Sequence, residues 1–303
     1  MTAPAIGVFL PTMSPQNEPL LDVVAAARQA EDLGFESVWV VDQLVGGTGV
    51  PFLDSTVALA AAAGATERIR IAYGVMILPL RPVVWAAKQV GSLQHVSGGR
   101  VLFGVGVGGD RHDLSWLAAG VPRRERGRRT DAALEVLPDL IAGKAVDLDG
   151  TTVQLSPAVA VPPILVGGMA DAALARAARH DGWFALPLPP PQLVPLVDRL
   201  GELAADIGRP RPSITASVMA AIDGDPTVPD AAGLVRLLGD PDGVYGMPAE
   251  AVPDMIVTAG PEVVAERIAA LQALGAERVV VTLAAGTWSR QAELLAEAVA
   301  LVG

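Results

Sequence analysis

A chain of 303 residues, 51% of them hydrophobic, can form two ordinary domains or one large α/β barrel and can bury a full core. Its net charge of -11 and sequence pI of about 4.7 exclude a nucleic-acid or acidic-membrane surface, because no basic field offsets phosphate repulsion. The lack of cysteine removes disulfide and thiol chemistry, and three scattered histidines, His95, His112 and His180, have no metal-ligand spacing, which leaves small molecules as the expected partners.

The stretch MTAPAIGVFLP lacks the basic segment and long apolar run of a signal peptide, and no apolar run reaches the about 20 residues of a membrane span, so a cytoplasmic location is expected. Residues 6–10 form a short apolar strand stopped by Pro11, and 20–33 carry helical spacing up to Gly34. Strand and helix then alternate: strand 37–41, helix 55–65, strand 69–77, helix 83–96, strand 101–105, a helix around 126–141, strand 164–166, helix 171–179, strand 183–186, helix 192–207 and strand 213–222. Helix 262–274, strand 278–283 and helix 290–301 complete the series. The stretch DLDGTTVQL, within 147–163, predicts a small hairpin turning at Asp149 and Gly150.

Eight strands, nearly all continuous apolar runs, are the pattern of parallel strands buried on both faces, and eight βα units in this length fit a (β/α)₈ TIM barrel. The competing open doubly wound sheet would carry its glycine fingerprint on the first βα turn. Here Gly104, Gly106 and Gly109 satisfy G-x-G-x-x-G only after the fourth strand, which removes the dinucleotide meaning. The chain is thus expected to be a single barrel domain over 1–303, with 223–254, rich in Pro, Gly and Asp, inserted after strand 7 as a flap over the mouth.

In such a barrel the residues just after each strand form the site. Gly106, Gly108 and Gly109 after the fourth strand, and Gly167 and Gly168 with Met169 after the fifth, offer bare backbone to a ligand. With apolar walls and scattered carboxylates, this mouth suits a large planar ligand with an anionic tail, and the chemistry belongs to that cofactor. Asp42 either caps Gly46 and Gly47 or faces the ligand. His112 is either a proton donor or phosphate contact, or a surface residue starting the next helix. Trp85, Trp116 and Trp288 are candidates for a pocket wall or for the core. The cluster Arg123, Arg124, Arg126, Arg128 and Arg129 reads as a solvated helix face or as a site for a distal anionic tail.

The segments AARQAEDLGFESVWVVDQL, RIRIAYGVMILPLRPVVWAAKQVGSLQHVSGGRVLFGVGVGG, RERGRRTDAALEVLPDLIAG and PPILVGGMADAALARAARHDGWF resemble the bacterial luciferase-like flavin and coenzyme F420-dependent oxidoreductases. The resemblance runs through most of 6–187 and resumes at IVTAGPEVVAERIAALQALGAERVVV. It implies a barrel binding FMN or F420 at the strand C-termini and a non-prolyl cis peptide at Gly74-Val75 against the ring. It further implies that Val107, Gly108 and Gly109, with Val166, Gly167, Gly168, Met169 and Ala170, hold the cofactor's tail, and that Asp42 meets the ring edge.

Many relatives carry histidine where this chain has Gln43, and in the deazaflavin sugar-phosphate dehydrogenases that histidine is the proposed base. A glutamine orients an oxygen but takes no proton at neutral pH. Asp110 stands near the position of those enzymes' glutamate acid. The resulting expectation is F420-dependent hydride transfer with a small organic substrate, as a reductase, with Asp42, Gln43 and Asp110 as the catalytic set. The alternatives are an FMN-dependent monooxygenase supplied by a flavin reductase partner and a non-catalytic cofactor-binding relative. A homodimer is implied by the family.

Overall fold

Strands apolar on both faces need cover on both sides, and here the sheet supplies it by closing into a cylinder with a helical coat. The computed structural model of the chain describes residues 4–14, 20–46, 50–109, 113–240, 245 and 247–302. Eight parallel strands close the barrel in chain order: Ala5–Phe9, Ser37–Val40, Arg70–Ile77, Val101–Gly106, Ile164–Gly167, Gly182–Phe184, Ser213–Ala220 and Arg278–Leu283. The eighth pairs with the first through Ala5↔Arg278 to Val8↔Val281, and the seventh pairs with the sixth through Gly182↔Ser213 to Phe184↔Thr215. No helix among the described residues is long and apolar enough to cross a membrane.

Alternation along the strands sorts two cores. Ile71, Tyr73, Phe103, Val105 and Val166 face outward and pack against helices such as Val83–Val96 and Arg126–Ile141. Trp39, Ala72, Leu102, Leu165, Phe184 and Val280 meet inside the barrel. Each fully buried aliphatic or aromatic side chain contributes about 1.5–3 kcal/mol, so this continuous double layer is the main source of stability.

The predicted helices 55–65, 83–96 and 126–141, the strand 278–283 and the hairpin, Val146–Leu148 with Thr151–Val153, stand where the sequence places them. Several short elements are additional, two of them near the strand ends. The six-residue helix Asp113–Ala118 precedes Arg126–Ile141, and the short strand Ile256–Val257 pairs with Met219 and Ala220. Within 223–254 the described residues form the helices Ala231–Gly239 and Val252–Met255; Leu238 and Val252 pack there with Met219 and Ala284.

The N-terminal face of the barrel is tied by charge. Arg100 donates to Ile69 O, Ala63 O and Thr66 O, satisfying carbonyls at the end of helix Ser55–Ala65. Glu31 accepts from the N–H groups of Glu67, Arg68 and Ile69. Across the first strand, Arg278 holds Glu36 through two hydrogen bonds of 2.9 and 2.8 Å. Burial raises the Glu36 pKa, but the Arg278 bonds and charge outweigh it and hold the carboxyl below its ordinary value.

A depressed folded pKa contributes stability that is present above the unfolded pKa and is lost as pH falls through the folded one. Replacing Glu36 by Gln is expected to cost about 1–3 kcal/mol at neutral pH, with the difference from wild type shrinking as pH falls below about 4.3. Urea unfolding across that range checks it; a difference independent of pH contradicts the assignment.

Candidate active site

The third strand ends in a bulge that sets the geometry of the mouth. Its register on the fourth strand jumps from Tyr73↔Phe103 to Met76↔Val105, so Gly74 and Val75 together oppose Gly104. The Gly74-Val75 peptide bond is cis. Val75 packs against the cluster inside the barrel, and its side chain accounts for two of the glycines read from the sequence as ligand contacts. A Cβ on Gly106 would lie 2.6 Å from Val75 Cγ2, and one on Gly167 would lie 3.3 Å from both Val75 methyls. A Cβ on Gly104 would lie 2.1 Å from the Tyr73 carbonyl oxygen. On the other side, Gly74 leaves room for Phe9 and Trp39, whose atoms a Cβ would approach to 2.7 and 3.0 Å.

Gly106 and Gly167 are therefore buried spacers around the third strand, a correction to their reading as open backbone, and Gly104, within the fourth strand, is a spacer of the same kind. The side chain of Val166 is 2% exposed and packs in the helix-facing core. What reaches the mouth is Val107, Gly108 and Gly109 after the fourth strand, and Gly168, Met169 and Ala170 after the fifth. Gly108 and Gly168 have φ of +77° and +122°, a region that glycine tolerates best. Gly108 has a second reason to be glycine, since a Cβ there would sit 2.7 Å from Trp116. Trp183 Nε1 donates to Gly168 O at 2.8 Å and fixes the second turn.

Asp42, expected to cap a turn or face a ligand, instead anchors the third strand. Its Oδ1 accepts from Ser55 Oγ at 2.7 Å and from Arg81 Nη2 at 3.0 Å. Its Oδ2 accepts from Ile77 N at 2.8 Å, with Arg81 Nη1 3.0 Å away. With a side chain only 3% exposed and both oxygens engaged, Asp42 is a positioning residue. Gln43 is a brace as well, its Nε2 donating to Val45 O and Ser115 Oγ at 2.8 and 3.0 Å. The predicted contacts of Asp110 and His112 lie outside the described residues. In the arginine cluster, Glu125 pairs with Arg128 and Arg129. His95 lies exposed on its helix, away from the strand ends.

A cavity of about 480 Å³ opens at another sector of the same mouth, between the ends of the first and eighth strands and the 223–254 segment. Phe9 lines it and also touches the space at Gly74, so the cavity adjoins the bulge. Trp288, a predicted wall candidate, does line it, held by donation from Nε1 to Phe9 O at 2.9 Å. Trp116 is buried behind Gly108, and Trp85 is exposed on helix Val83–Val96. Sequence reasoning missed Thr227, Thr287 and Tyr245, because they come from segments without a recognisable pattern. Thr227 and Thr287 are set by buried Asp225, which accepts from Thr227 N, Thr227 Oγ1 and Thr287 N at 2.9, 2.6 and 2.7 Å. Burial raises the Asp225 pKa, but these hydrogen bonds outweigh it and hold the carboxyl low.

Two left-handed glycine turns and a cavity at the C-terminal mouth of a (β/α)₈ barrel define a barrel built to hold small molecules there. The chain belongs to the luciferase-like monooxygenase family, whose model matches residues 5–231. An uncharacterized protein of Mycobacterium tuberculosis (strain ATCC 25618 / H37Rv) is 39% identical over 170 residues, 54% of this chain and 58% of that protein. The chain thus spans less than two thirds of that relative's length. An F420-dependent secondary alcohol dehydrogenase in complex with an F420-acetone adduct superposes with a TM-score of 0.81 at 17% identity, covering 100% of both chains. The oxygenating constituent of 3,6-diketocamphane monooxygenase from Pseudomonas putida, in complex with FMN, gives 0.72 at 15% identity over 99% of this chain and 97% of that one. At these identities the likeness is one of fold.

Removing the Asp42 carboxylate strands Arg81 and frees the end of the third strand. Asp42→Ala is expected to lose about 3 kcal/mol of unfolding free energy in urea, whereas Gln43→Ala should lose about 1 kcal/mol. Equal small losses would show that the third strand does not depend on Asp42.

Proposed function

We propose that this chain is a coenzyme F420-dependent oxidoreductase that transfers a hydride between the deazaflavin and a small organic substrate, working as a reductase. The observation that carries the reading is the pair of open turns at Gly108 and Gly168. Main chain is open there to a bulky anionic tail, and Val75, packed against Gly106 and Gly167, forms an apolar floor between the two turns. The residues present fit such a group: Val107 to Gly109 and Gly168 to Ala170 would hold its tail, and Val75 would face its ring. When bound, the deazaflavin supplies the hydride chemistry that no described side chain can supply.

The chain's own residues favour reduction. Oxidising an alcohol requires a base for its proton, and Gln43 at the relatives' histidine position is neutral and committed to Val45 and Ser115. Support for F420 over FMN comes from the higher TM-score to the F420-dependent dehydrogenase and from a composition in which arginine replaces lysine almost throughout, only Lys88 and Lys144 remaining. The FMN complex of the same fold makes an FMN-dependent monooxygenase the second reading, one that requires a partner to deliver reduced flavin.

Fluorescence titration of the purified protein with F420 and with FMN separates the two. Micromolar binding of F420 and weak binding of FMN are expected; the reverse order overturns the F420 assignment. Met169 is 38% exposed, so Met169→Glu leaves the fold intact while placing a negative charge beside the tail, and it should weaken cofactor binding by more than about tenfold. Unchanged affinity would remove the fifth-strand turn from the site.

A further inference from the structure

The cavity at the ends of the first and eighth strands, which adjoins the Gly74 bulge through Phe9, has a lining whose chemistry selects its occupant. Among its described lining residues there is no aspartate, glutamate, lysine, arginine or histidine; the walls are apolar, with Phe9, Leu10, Leu237 and Trp288, and the polar groups are hydroxyls and main chain. An anionic group placed there would lose its hydration without gaining a cation, and the carboxylate of Asp225 lies directly behind the wall at Gly286 and Thr287. Asp225 itself is saturated by three hydrogen bonds, so it offers no oxygen to a cationic ligand.

One phenol breaks the apolar lining. Of the two tyrosines in the chain, Tyr73 points outward to Thr56 Oγ1 at 3.1 Å, whereas Tyr245 lines the cavity. The Tyr245 ring packs beside Leu238 and Val252, and its hydroxyl has no protein partner among the described residues. Burial pushes its pKa up, which keeps it a proton-bearing donor at neutral pH. Of the aliphatic hydroxyls there, Thr227 Oγ1 donates to Asp225 and Thr287 Oγ1 lies 3.2 Å from Thr227 Oγ1, while Ser14 and Thr282 also line the cavity, on shorter side chains than the Tyr245 phenol.

We infer that the cavity between Phe9, Trp288 and Tyr245 takes an uncharged, largely apolar carbonyl compound, with the Tyr245 hydroxyl donating a hydrogen bond to its oxygen and so determining specificity. The inference deepens the proposed function by naming the substrate class, and it rests on that reading for the word substrate. Binding itself is read without turnover.

Isothermal titration with 2-acetylnaphthalene, 6-acetyl-2-naphthoate and 2-ethylnaphthalene tests it, on the protein alone and with saturating F420 or FMN. The ketone is expected to bind in at least one of these states and the naphthoate at least about thirtyfold more weakly, the carboxylate having no partner. Tyr245→Phe should weaken the ketone about fivefold and leave the hydrocarbon unchanged, the hydrocarbon serving as the check that the cavity still folds. Comparable binding of ketone and naphthoate, absence of ketone binding in all three states, or a Tyr245→Phe protein that holds the ketone at wild-type affinity overturns the inference. A failure of F420 to bind, with the ketone still preferred, would instead count against the cofactor assignment alone.

Discussion

The mouth of this barrel depends on where the side chain of Val75 goes. The bulge at Gly74 and Val75 adds a residue to the third strand and drives that side chain into the barrel between the fourth and fifth strands. Close packing then forbids a Cβ at Gly104, Gly106 and Gly167, each of which would stand 2.1 to 3.3 Å from Tyr73 or Val75 atoms. Asp42 fixes the other end of the same segment through Ile77 N and Arg81. One strand end is thus held from below by glycines and from the side by a saturated carboxylate, and the floor between the two open turns is consequently a fixed apolar surface.

The two faces of the barrel divide the work. At the N-terminal face, Glu31 and Arg100 bind main-chain groups and Glu36 pairs with Arg278 across strand starts, which stabilises closure. At the C-terminal face two carboxylates are withdrawn: Asp42 and Asp225, 8% and 6% exposed, each commit their oxygens to positioning neighbours. Among the described residues, main chain at Gly108 and Gly168 and a cavity lined by uncharged side chains are open at this face.

The barrel was legible in the chain because buried parallel strands announce themselves as short continuous apolar runs, and because helix ends such as Ala65 and Val96 coincide with local signals. The glycine run after the fourth strand was legible as a special place but half misread. Gly108 and Gly109 do face the mouth, while Gly104 answers to the Tyr73 carbonyl and Gly106 to the Val75 side chain, some thirty positions earlier, a steric relation invisible to any local window. Asp42 was found by its position, yet its partner Arg81 lies 39 residues on, and only the fold shows that the pair is closed. Trp288 was noticed as a wall candidate. Tyr245 was not, since it stands in a segment whose composition predicts a loop and gives no hint of which side chain turns inward.

The most direct test of the central constraint is a double-mutant cycle between Val75→Ala and Gly106→Ala, measured by urea unfolding. A methyl on Gly106 collides with the Val75 methyls, so Gly106→Ala should cost about 1–3 kcal/mol in the wild-type background and at least about 1 kcal/mol less when Val75 is alanine. If the two losses simply add to within about 0.5 kcal/mol, the glycines of the fourth strand do not exist to seat Val75, and the account of the mouth fails.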